Sequence, residues 1–95
     1  MVKYFKEHIA EELEGALDYM AKAVEHKGTA YGSKFYEMSQ MEAEHANCLY
    51  KMFSSMPKPD GVSDADYSTA MKSIMDAYTV SMPKYEAMKK LYWER

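Results

Sequence analysis

Ninety-five residues with 12 Lys and Arg against 15 Asp and Glu make one small domain, which can bury only about 60 to 70% of its unfolded surface and gains from self-association. A net charge of −3 and no basic run longer than Lys89-Lys90 exclude nucleic acid as an expected partner. The lone Cys48 rules out an intrachain disulfide, no apolar stretch approaches the ~20 residues of a membrane span, and the opening residues 1–8 are too polar for a signal peptide, so a cytoplasmic protein without membrane contact is expected.

In chain order, the first helix is expected over residues 4–27. Phe5, Ile9, Glu12, Ala16, Tyr19 and Ala23 step by 4, 3, 4, 3, 4 along one helix face. Gly28, after the basic His26-Lys27, stops it. A hydroxyl between Thr29 and Ser33 caps a second helix over 31–55. There Phe35, Met38, Glu42, His45, Leu49 and Met52 step by 3, 4, 3, 4, 3. A linker over 56–63 follows, because Pro57 and Pro59 push the residues before them out of the α region and Asp60-Gly61 favours a turn. Ser63 with Asp66 resembles a capping box and opens a third helix over 64–93, striped with Tyr67, Met71, Ile74, Tyr78, Ser81, Tyr85, Met88 and Tyr92. Pro83 leaves the Thr79 carbonyl without a donor and predicts a kink or restart near Ser81. No alternating pattern suggests a strand. The expected fold class is therefore all-α, a single domain with an antiparallel helical hairpin and a kinked third helix.

Glu42-Ala43-Glu44-His45 puts a carboxylate and an imidazole three residues apart, so both can close on one metal ion from one helix face. The motif alone is cheap, with about 0.3 chance matches expected from ten Glu and three His in a chain of this length. Its position gives it weight. Glu12 and Glu42 interrupt apolar stripes, and a bare carboxylate on a buried seam costs several kcal/mol unless it is protonated, paired or metal-bound. A hairpin about residues 28–32 places Glu12 ~22 Å, Glu42 ~15 Å and His45 ~20 Å from the turn. All three are thus expected to converge on one inward-facing point, with Tyr19 two turns along the seam. Three ligands are half a site. Bundles that hold two iron or manganese ions use one Glu from each of two helices and Glu-x-x-His from each of the other two. Two copies related by a two-fold axis would supply Glu12, Glu42 and His45 twice, and four carboxylates would balance two divalent ions.

Glu12-Leu13-Glu14-Gly15-Ala16-Leu17-Asp18-Tyr19, followed by Glu42-Ala43-Glu44-His45-Ala46, resembles the ferritin-like superfamily, in which a Glu precedes a Tyr by seven and a later E-x-x-H-A closes the site. The thirty-residue gap from Glu12 to Glu42 is most similar to the short encapsulated ferritins, which build a di-iron four-helix bundle from two chains. It also resembles small ferritin-like proteins of bacteriophage genomes. The resemblance covers residues 5–55. The third segment departs from it, and Lys89-Lys90-Leu91-Tyr92-Trp93-Glu94-Arg95 offers no recognisable tail for docking into an encapsulin shell. The resemblance implies a homodimer or higher homo-oligomer, a di-iron centre with Mn as the alternative metal, and ferroxidase-like oxidation of Fe(II). Glu42 would bridge the ions, Glu12 and His45 would be terminal ligands, and Tyr19 would be a catalytic donor of a hydrogen bond or an electron.

Plainer readings stand beside these. The ten Met and nine Tyr are expected to fill a core that is partly an oligomer interface. Glu11, Glu12 and Glu14 form an acidic run of which only one need point inward. His8 is expected as a partly exposed filler and Cys48 as a small buried hydrophobe. The competing functions are a structural or adaptor helical oligomer of the phage-encoded kind whose metal site does not turn over, and a protein that binds iron for storage or delivery.

Overall fold

Helical caps and apolar spacing divide the chain into α1 (Val2–Glu25), α2 (Ala30–Ser55) and α3 (Asp64–Trp93) in the computed structural model, which describes residues 1–94. The molecule is all-helical, with no strand among the described residues. Thr29 Oγ1 accepts from the Gly32 amide at 3.1 Å and Ser63 Oγ from the Asp66 amide at 3.1 Å, so each hydroxyl satisfies an amide that the first turn leaves without a partner. Gly28, at φ +85°, turns the chain out of α1 in a conformation that side-chain-bearing residues rarely adopt. α3 continues through Pro83 without a restart. Thr79 and Pro83 are both exposed, so water can satisfy the carbonyl that the proline leaves unbonded.

The helices run up, down and up. Tyr67, near the start of α3, stacks on Phe53 near the end of α2 at 5.1 Å, whereas Tyr92 and Trp93 at the end of α3 meet Tyr36 near the start of α2 at 4.5 and 5.5 Å. α1 is the shared element: its backbone approaches both neighbours, while no Cα of α2 comes within 8 Å of one in α3. Long side chains span that gap. Tyr78 donates to Asn47 Oδ1 at 3.0 Å, and burial pushes its phenol up to about 12, so it remains a donor at neutral pH. Lys27, in the α1–α2 turn, donates to the carbonyls of Leu91, at 2.9 Å, and Glu94, where a cation suits the end of a helix. No helix among the described residues is long and apolar enough to cross a membrane.

Two clusters make the core along α1. Phe5, Ile9 and Leu13 pack with Ala46, Phe53, Ala70 and Ile74, and Ala16, Met20 and Ala23 pack with Tyr36, Ala43 and Tyr85. The α3 stripe from Tyr67 to Tyr92 is buried or half-buried throughout. The α1 stripe buries Phe5, Ile9, Ala16 and Ala23 as expected and departs at two positions, whereas the α2 stripe is displaced by one residue. α1 buries Leu13 and Met20 where Glu12 and Tyr19 were expected, and α2 buries Gly32, Tyr36, Ser39, Ala43 and Ala46 in place of the line through Phe35, Met38, Glu42 and His45. The reason lies in small residues that a hydrophobic pattern undervalues. Ala43 and Ala46 let the backbones come together, and buried Ser39 satisfies its hydroxyl by donating to the Ala16 carbonyl at 2.5 Å, so larger neighbours move to the rim of the groove.

Gly32 marks the tightest approach. A Cβ there would run into the backbone carbonyl of His26, and neither backbone can yield without opening the hairpin. Gly32→Ala is expected to cost about 1–3 kcal/mol of stability, measured by urea denaturation, while Ser33→Ala on the exposed face stays within about 0.5 kcal/mol.

Candidate metal centre

Antiparallel packing sets the middle of α1 beside the middle of α2, and the displaced stripes leave Glu12, Glu42 and His45 together on the rim of the groove between them. One ligand atom from each lies within 4.8 Å of the other two. His45 Nδ1 is 3.6 Å from Glu12 Oε2, too far for a good hydrogen bond. The site is half-open. The Glu12 side chain is 24% exposed and that of His45 is 59% exposed, so the inward-facing point expected from the stripes is corrected to a flank of the hairpin.

Glu12 Oε2 is itself buried and has no hydrogen-bond partner. A buried carboxylate oxygen left so costs free energy. The Glu42 carboxyl is held above its ordinary range, chiefly because it shares a hydrogen bond with Glu12; burial and the Glu12 charge push the same way, and His45 opposes them. The closeness of the two carboxyls thus disfavours the charged form of Glu42. Two carboxylate oxygens and an imidazole nitrogen suit a divalent first-row metal such as Fe(II) or Mn(II).

The remaining candidates stand apart. Glu11 and Glu14 are exposed, so only Glu12 of the acidic run reaches the cluster. His8 pairs with Glu11 at 3.7 Å and lies against the Tyr4 ring at 4.1 Å. Tyr19 is half-buried and stacks on Phe35 at 6.2 Å, and with Asp18, Lys22 and Glu25 it lines a shallow hollow that Glu12, Glu42 and His45 do not border. Cys48, expected as a buried hydrophobe, is exposed, because it falls beside the line from Ala46 to Phe53 that α2 buries. Sequence pattern passes over Gly15, which lies directly under the Glu42 carboxylate. Its one signal is that a glycine inside a helix costs about 0.5–1 kcal/mol against alanine. Comparison with protein-family models, curated proteins and solved structures gave no match for this chain.

A raised Glu42 pKa has a definite sign. The native state holds this proton to higher pH than the unfolded chain, so the stability it contributes is complete below the ordinary value of 4.5 and is lost as pH rises through the raised one. Metal-free protein is expected to lose thermal stability over that interval. Glu42→Gln should flatten the dependence and melt higher than the parent at neutral pH, as followed by circular dichroism at a series of pH values.

Proposed function

We propose that this chain is a homo-oligomeric ferritin-like protein in which Glu12, Glu42 and His45 form half of a di-iron centre, with manganese as the alternative metal, and in which a second copy supplies the other half. The observation that carries the reading is the buried, partnerless Glu12 Oε2 within reach of two further metal-ligating side chains. A divalent cation would satisfy that oxygen and offset the crowding of the two carboxylates. Glu12, Glu42 and His45 would hold the ion on each chain. A pair of iron ions would supply two electrons together to dioxygen, the chemistry of a ferroxidase. His45, more than half exposed, turns the site towards the surface on which a partner would sit. Around it the flank is apolar: Phe35 and Leu49 are half-buried, and Met38 and Met52 are 39% and 46% exposed. A two-fold related copy laid on this flank would cover those side chains and complete a four-helix bundle. The single unpaired thiol agrees with a cytoplasmic location.

Elemental analysis after expression in iron-supplemented medium is expected to find about one iron per chain, with light scattering giving a dimer or a multiple of it. Glu42→Ala should abolish metal binding and keep the fold, whereas Glu44→Ala, on the exposed side of α2, should leave binding intact. A metal-free protein that cannot be reconstituted, or a metal-binding monomer, would overturn the two-chain centre.

Turnover has its own measurement. Aerobic addition of Fe(II) should raise a ferric absorption in the near ultraviolet faster than in buffer. His45→Ala should slow the first phase by roughly tenfold or more, while Tyr19→Phe should change only later phases. Oxidation at the buffer rate in protein shown to contain the metal would favour the structural or adaptor oligomer.

A further inference from the structure

We propose that Gly15 is a positioning residue: the missing side chain leaves a slot on α1 into which the Glu42 carboxylate lies, bringing it to Glu12 and His45. Gly15 is in the interior of α1 and has no positive φ, so the backbone there does not require glycine. The three nearest atoms that an alanine Cβ would meet all belong to one side chain. A Cβ at this position would lie 2.9 Å from Glu42 Oε2, 3.3 Å from Cδ and 3.5 Å from Cγ. No backbone atom is among these near contacts, in contrast to Gly32, where the obstacle is the His26 carbonyl. Gly15 follows Glu12 by three residues, so both occupy the same face of α1 on successive turns. Glu42 therefore crosses from α2 at a position where α1 presents no side chain.

Because the carboxylate is the far end of a flexible side chain, a methyl group at position 15 would move it without disturbing the packing of α1 on α2. Glu42 would swing towards water, leaving Glu12 and His45 without their third ligand. The substitution should consequently separate two properties that usually fall together, with the fold kept and the ligand set dispersed. As a metal ligand set this rests on the function proposed above; the slot itself does not.

The test is Gly15→Ala in the full chain, with Co(II) as the probe. The metal-free variant should melt at the parental temperature or higher, since alanine replaces glycine inside a helix. Its Co(II) dissociation constant should rise roughly 10- to 100-fold, the range for losing support of a metal ligand, with a changed visible Co(II) spectrum. In Glu42→Asp protein, whose carboxylate is one methylene shorter, adding Gly15→Ala should cost less than it does in the parent, which a double-mutant cycle measures. Without any metal, the carboxyl ¹³C resonance of Glu42 should move in Gly15→Ala while that of Glu37 stays. Unchanged Co(II) affinity, an unmoved Glu42 resonance, or loss of folding would overturn the slot. A parent protein that takes up no Co(II) would overturn the metal centre instead, and the carboxyl resonances would still decide the slot.

Discussion

α1 has to satisfy two neighbours with one cylinder, and the rest of the molecule is arranged around that constraint. A helix offers 3.6 residues per turn, and α1 commits Phe5, Ile9, Leu13, Ala16, Met20 and Ala23 to burial. α3 meets α2 through Tyr36, Asn47, Tyr50 and Phe53. Positions 47 and 50, with buried Tyr36, face α3, and positions 38, 42, 45 and 49 lie on the other side of α2. The third helix therefore seals one rim of the hairpin with aromatic rings and leaves the opposite rim open. A carboxylate can be half-buried there without being sealed into a dry core, where its desolvation would cost far more.

That placement shapes the chemistry of the triad. A fully buried pair of acids would be locked in its protonated form, and a fully exposed pair would be wet and indifferent to cations. Glu12 and Glu42 lie between these limits, with one oxygen stranded and the Glu42 carboxyl held above its ordinary range. His45, on the same rim, is reachable from solvent. Such a group is unsatisfied enough to favour a cation and open enough to receive one. The hydroxyl of Ser39 presents no such problem. It lies at the same depth as its neighbours and is answered by the Ala16 carbonyl, a fixed structural bond beside an unsettled ionic one.

Much of this was legible in the sequence because it is set by local chemistry. Thr29 and Ser63 are good caps in any context, the α3 stripe advertises its face, and the distances of Glu12, Glu42 and His45 from the turn follow from helical rise alone. What was not legible depends on how closely two helices approach. A pattern that weights large apolar residues selects Phe35, Met38 and Leu49 on α2, yet Gly32, Ser39, Ala43 and Ala46 win the interface because little protrudes from them. The same shift of one position exposes Cys48 and moves the triad from a seam to a rim. Gly15 escapes notice for a related reason. Its role is defined by an atom it lacks and by a side chain from another helix, neither of which leaves a periodic trace.

The contact of Trp93 with Tyr36 carries a consequence for spectroscopy. The indole Nε1 donates to the Tyr36 hydroxyl at 2.9 Å, at the hairpin end of the bundle, and this is the only tryptophan among nine tyrosines. Tyr36 and Tyr92, in contact with the indole, can pass excitation to it, so their emission is read out through the last turn of one helix. Fraying of that turn would brighten the tyrosines and shift the indole emission while the clusters around Ile9 and Met20 remained packed. Indole fluorescence in a melt of this protein consequently times the undocking of the last turn of α3, whereas ellipticity or exchange of the α1 amides times the loss of the fold itself.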